Sequence, residues 1–202
     1  EVNKAISDMM SDKRLYIADG HHRYETALRI KSEFPDNENA KYTLMYFSNM
    51  LDDGLIVLPT HRLLNEISYN ENDLKNFLEK YFNKVEFKHN NLKEAIVQQR
   101  SLKNSHTFIM ITKNNLMLLS LKNMEAIQDY FPTSMPKVLT ELDVNILFYT
   151  IIKGFFGVTE EDIKNQNKIS YTKDAEDAVE KVLSETAKIG LLLNPTELDA
   201  LE

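Results

Sequence analysis

Apolar and polar positions alternate between two periods along this chain, and the switches between them mark its elements. Leu15 to Ala18 is a short apolar run ending at Asp19-Gly20, and it predicts a buried strand. Tyr24, Ala27, Leu28 and Phe34 then fall on one helical face, with Glu25 and Arg29 four apart on the other, and Pro35 ends that helix. Tyr42 to Met50 is rich in strand formers. Asp52-Asp53-Gly54 is a turn signal, and Leu55 to Leu58 is a second strand, so a hairpin is expected to point toward Pro59-Thr60-His61-Arg62.

Further on, Leu74, Phe77, Leu78, Tyr81 and Phe82 keep helical spacing, and Val85 to Phe87 predicts a short strand. A short helix follows with Leu92, Ala95 and Ile96. Two apolar runs between Phe108 and Leu121 are broken by Lys113-Asn114-Asn115, a hairpin pattern. Val138 to Phe156 is apolar nearly all round a helix, which places that helix at the centre of the core, and Gly157 ends it. Ala175, Ala178, Val179, Val182, Leu183 and Ile189 form the cleanest amphipathic stripe, with Asp174 as N-cap, and Gly190 to Asn194 is a buried strand. Strand-to-helix units coexist with hairpins, which gives an α+β (mixed α/β) class. One domain over residues 1–202 is expected, with a C-terminal submodule at 137–202.

Composition narrows the function classes. With 43% hydrophobic and 27% charged residues, 202 residues suffice for a sizeable core. A formal charge of -7 argues against a broad DNA-binding surface, because duplex backbones are held by collected Lys and Arg. The absence of cysteine excludes disulfides, thiolate metal sites and cysteine nucleophiles. No apolar run approaches the ~20 residues that span a bilayer, and the first residues lack the basic-then-apolar order of a signal peptide, so a cytoplasmic location is expected. The start without Met and the ending ELDALE lead us to expect a piece of a longer polypeptide.

The chemistry concentrates in Asp19-Gly20-His21-His22-Arg23. If a strand hands over to a helix here, Gly20 lets the backbone turn or approach a ligand closely. The amides of His21, His22 and Arg23 then point along the helix axis toward an anion. Arg23 adds a bidentate fork and the histidines add donors. Two alternatives stand beside this phosphate cradle. In one, Asp19 is an N-cap and Gly20 a turn residue; in the other, His21 and Glu25 bind a metal with Asp19. Thr60, His61 and Arg62 repeat the His-Arg pairing and are expected to converge with the first motif on a di- or triphosphate. Asp52 and Asp53 serve a turn or bind Mg²⁺ beside a nucleotide. The tyrosines and phenylalanines fall mostly on apolar faces and read as core, and His89 and His106 stand at element edges with no partner nameable from sequence.

ADGHHRYETAL, the Asp-x-Gly turn, LIVLPTHR and LLLNPTELDAL, in that order, resemble family 1015 of the domains of unknown function, over the whole chain as we read it. The DGHHR string also resembles the ParB and sulfiredoxin-like superfamily, which includes free serine kinases with the same five residues. That resemblance implies a strand-loop-helix core in which Gly20, His21, His22 and Arg23 hold nucleotide phosphates and Asp19 orients a hydroxyl or a metal. His21 stands where sulfiredoxins carry their reactive cysteine, so sulfinic-acid reduction by that route is excluded. The expectation is a nucleotide- or phosphate-binding domain of a small-molecule phosphotransferase, with ATP, ADP or CTP and Mg²⁺ as cofactors, Asp19 and His21 as catalytic candidates, and a phosphorylated small molecule as partner. The alternative is a non-catalytic, nucleotide-dependent regulator of the ParB-like, DNA-associated kind.

Overall fold

The computed structural model of the chain describes residues 2–49, 52, 58–103, 105–165 and 167–195. The chain divides into two compact units, Glu1–Asp52 and Asp53–Glu202.

The first unit is helical. Helix α1 is Val2–Met10, α2 is His21–Glu33, and a short 3₁₀ turn runs Glu38–Lys41. Helix α2 stops two residues before Pro35, as expected of a residue that cannot continue a helix. The expected strands at Leu15–Ala18 and Tyr42–Met50 are not formed: residues 15–18 and 42–49 join no ladder, and Met50 lies outside the described residues. Both stretches are exposed, Leu44 fully and Tyr46 at 93%. A strand is stabilised by its neighbours' hydrogen bonds and side chains, and apolar composition alone supplies neither. Of the predicted partner strand Leu55–Leu58, residues 55–57 lie outside the described residues, and Leu58 joins no ladder.

The second unit is built on one sheet of six antiparallel strands. Its elements are β1 (His61–Leu64), α3 (Glu71–Tyr81), β2 (Phe82–Phe87), α4 (Leu92–Ser101), β3 (Thr107–Ile111), β4 (Leu116–Leu121), α5 (Lys137–Thr140), α6 (Asp143–Ile146), a π-helix (Leu147–Phe155), α7 (Glu160–Asn165), β5 (Ile169–Thr172), α8 (Ala175–Leu183) and β6 (Ile189–Leu193). The strand order is β2-β4-β3-β6-β1-β5. The predicted 108–121 hairpin is present, its turn closed by the Thr112 amide and hydroxyl on the Asn115 carbonyl.

The two-residue period of each strand sorts the core into two layers. On one face Leu64, Phe108, Met110, Leu119 and Leu191 pack with Leu74 and Leu78 of α3 and with Leu147 and Ile151 of the π-helix. On the other, Leu63, Ile109, Ile111, Leu118 and Leu192 pack with Leu92 and Ala95 of α4 and with Ala178 and Val182 of α8. Each such Leu, Ile, Val, Met or Phe side chain contributes roughly 1.5–3 kcal/mol on burial.

Beyond those strands, four assignments differ from expectation, the first being Phe82, which opens β2 instead of continuing the helical face. His61–Leu64 is itself a strand, so the Pro-Thr-His-Arg segment leads into the sheet instead of leaving it. The single helix expected over Val138–Phe156 is broken: Leu142 takes extended backbone, Asp143 restarts the helix, and Leu147 onward widens to the π form. Its apolar inner face, with Ile146, Leu147, Ile151 and Ile152 buried, is nevertheless central to the core. Ile189 belongs to β6, not to the stripe of α8.

Candidate functional site

Helix α2 begins at the DGHHR segment. Gly20 sits at its N-cap with φ 84° and ψ 24°, a left-handed conformation that side-chain-bearing residues rarely adopt, and no side chain caps the helix. The first helical backbone bond runs from the Tyr24 amide to the Gly20 carbonyl at 3.0 Å. The amides of the first turn therefore lie ahead of the ladder, and a left-handed residue followed by right-handed ones curves successive N–H groups into an anion-binding concavity. The N-cap role considered for Asp19 is thus taken by Gly20.

Arg23 folds back over this glycine. A Cβ built on Gly20 would lie 2.8 Å from Arg23 Nη2 and 3.0 Å from its Nε. The same Nη2 donates to Asp19 Oδ2 at 3.2 Å, with the two side chains 81% and 93% exposed. An ion pair so exposed contributes only a few tenths of a kcal/mol to about 1 kcal/mol. His21 and His22 are exposed, and His22 Nδ1 lies 3.5 Å from Glu25 Oε2. Among the described residues no group of three or more His, Asp or Glu is placed to hold a metal ion.

The second motif has a different character, and it lies in the other unit. Thr60 is exposed, and its carbonyl accepts a hydrogen bond from Arg62 Nη1. Arg62 is half-buried, its guanidinium 5.9 Å from the Tyr171 ring centroid, and burial draws it below its ordinary value against an opposing pull from Tyr171. His61 is buried at 4% exposure, and its Nδ1 accepts from the Leu193 amide at 3.3 Å. The ring is therefore a neutral imidazole with its proton on Nε2. Burial, then Arg62, against a smaller opposing effect of Asp174, brings His61 down to about 4. Asp52 is exposed, and Asp53 lies outside the described residues.

The structure also gives partners to groups that the sequence left single. His106 Nδ1 meets Asp143 Oδ1 at 2.7 Å, joining the start of β3 to the start of α6, and His89 Nε2 lies 2.8 Å from the Thr112 carbonyl. Tyr130 donates to Tyr81 at 3.3 Å. Hydrogen bonding from Lys80 and then Tyr130 lowers Tyr81, while burial and Tyr81 push Tyr130 up to about 12. These pairs span 37, 23 and 49 positions, so no local pattern announces them.

A family model described as "Protein of unknown function (DUF1015)" matches residues 1–145. The chain belongs to the DUF1015 family. Both His-Arg motifs of this DUF1015 chain lie inside the matched stretch, whereas LLLNPTELDAL lies beyond it, so the match stops short of the full length we expected from the motifs. No curated protein and no solved structure matches the chain. Among the described residues no helix is long and apolar enough to cross a membrane.

Proposed function

We propose that this chain is a nucleotide- or phosphate-binding domain of the ParB and sulfiredoxin-like type that serves small-molecule phosphotransfer. The observation that carries the reading is the uncapped start of α2, entered through left-handed Gly20 with the Arg23 guanidinium lying over it. First-turn amides, helix dipole and a planar cation suit a phosphate, which would draw Arg23 from its weak, exposed pair with Asp19. The freed Asp19 carboxylate then faces the ligand as the candidate to orient a hydroxyl, with His21 beside it. Thr60 and Arg62 supply a second anion-binding position, and His61, being neutral, contributes an Nε2–H donor at most. Catalysis of this kind rests on positioning and charge neutralisation. Mg²⁺ would arrive on the nucleotide phosphates, keeping most of its waters, since it rarely depends on an all-protein cage.

Isothermal titration of the chain with ATP, ADP, CTP and pyrophosphate in the presence of Mg²⁺ tests this. Binding that weakens about tenfold or more in Arg23→Ala is expected, as charge-assisted hydrogen bonds are lost. Absence of binding to all four, or binding indifferent to Arg23→Ala, overturns the reading. One observation favours a second reading, in which the motif is structural: Arg23 is already occupied by Asp19. A nucleotide bound without turnover, or salt-sensitive DNA binding, would instead identify a regulator.

A further inference from the structure

We propose that Asp19-Gly20 is a site of spontaneous isoaspartate formation, and that the Arg23 ion pair is the device that restrains it. The reaction needs a side-chain carboxyl followed by an unhindered backbone nitrogen. Gly20 has no Cβ to shield its nitrogen, Asp19 is 93% exposed, and the Gly20 amide precedes the helix ladder, whose first bond is Tyr24 to Gly20. In the ring-closing step the Gly20 nitrogen forms a bond to Asp19 Cγ and loses its proton. The C–O bond to one oxygen of the protonated carboxyl group breaks, and that oxygen leaves as water, carrying the acid's own proton and the one lost by the Gly20 nitrogen. Water then adds to the succinimide: opening on one side restores aspartate, while opening on the other leaves the chain running through the β-carboxyl, with one extra methylene in the backbone.

Arg23 Nη2 holds Asp19 Oδ2 at 3.2 Å, tying down an oxygen of the group that must be attacked and fixing the side chain over the helix start. Because the pair is exposed, this restraint is partial. The inserted methylene would displace the Gly20 amide from the concavity, so the modification also removes the geometry on which any ligand there depends. The inference itself does not rest on phosphate binding.

The sequence carries its own comparator. Asp53-Gly54 is the second Asp-Gly pair of the chain, and the position four residues after its aspartate is Val57 instead of an arginine. The test is to age the intact protein at neutral pH and 37 °C. Isoaspartate at residues 19 and 53 is then quantified against an unaged sample by electron-transfer fragmentation and by enzymatic methyl transfer to isoaspartyl groups. Isoaspartate should accumulate at Asp19, and Arg23→Gln should raise its yield there about two- to fivefold relative to Asp53 in the same molecule, the factor corresponding to loss of an exposed ion pair. An Asp19 that stays unmodified while a free YIADGHHR peptide isomerises overturns the site. A 19-to-53 ratio unchanged by Arg23→Gln overturns the restraint. Far-UV circular dichroism of Arg23→Gln confirms that α2 is retained.

Discussion

A buried histidine that accepts a backbone hydrogen bond ties the second motif to pH. His61 is brought to about 4 in the folded chain from an ordinary 6.5, so the unfolded chain binds more protons between those values. Stability is therefore complete above pH 6.5 and falls as pH drops toward about 4, by a total on the order of 2–3 kcal/mol. Urea denaturation at a series of pH values should show that slope, and His61→Asn, which keeps an acceptor for the Leu193 amide but cannot titrate, should flatten it. At the first motif, Gly20→Ala places a side chain at φ 84° and against the Arg23 guanidinium. It should fray the first turn of α2, at a cost of about 1 kcal/mol, seen as lost helical circular dichroism. The glycine turn into α2 was legible because glycine takes the left-handed conformation that other residues avoid, whereas the strand expected to lead into it is not formed. The role of His61 was not legible: Thr-His-Arg after a proline reads as a turn, although the Leu63-Leu64 run behind it was the sign of a strand.

At the level of elements, caps behave as their residue types dictate. Asp174 accepts from the amides of Glu176 and Asp177 at the start of α8, and Asp174→Ala should cost about 1 kcal/mol in urea denaturation. The π-helix offers a sharper test. A Cβ on Gly154 would lie 2.7 Å from the Tyr130 ring and 2.7 Å from the Tyr149 carbonyl oxygen, and backbone cannot swing aside as a side-chain end can. Gly154→Ala should therefore destabilise by about 1–3 kcal/mol despite the better helix propensity of alanine. The apolar pattern announced that the segment would enter the core but not its interruption at extended Leu142, which leaves Val138 and Leu139 exposed while Asp143 restarts the helix against His106. The strands expected at Leu15–Ala18 and Tyr42–Met50 show the same limit from the other side. A β pattern records what a segment is fit to pair with, and the pairing itself is a property of the partner.

Over the whole chain the two units differ in what protects their backbones. None of the described residues of the first unit is buried, whereas β3 and β6 of the second are buried throughout. Hydrogen exchange should accordingly find the slowest amides in β3, β4 and β6, and exchange in α1 and α2 faster by orders of magnitude. Comparable protection in the two units would contradict the exposure described here. The sheet also fixes an order of events. Strand β1, which continues the Thr60-His61-Arg62 motif, pairs with β5 and β6, and its contacts with them bridge long stretches of chain: Asn65 and Ser170, for example, are 105 positions apart. During synthesis β1 therefore leaves the ribosome long before either neighbour exists, and it must wait while the β3–β4 hairpin, closed within a few residues, is already able to form. The seat of Arg62 is among the last features of this sheet to come into being, and a chain interrupted before β5 would carry the motif's letters without its architecture.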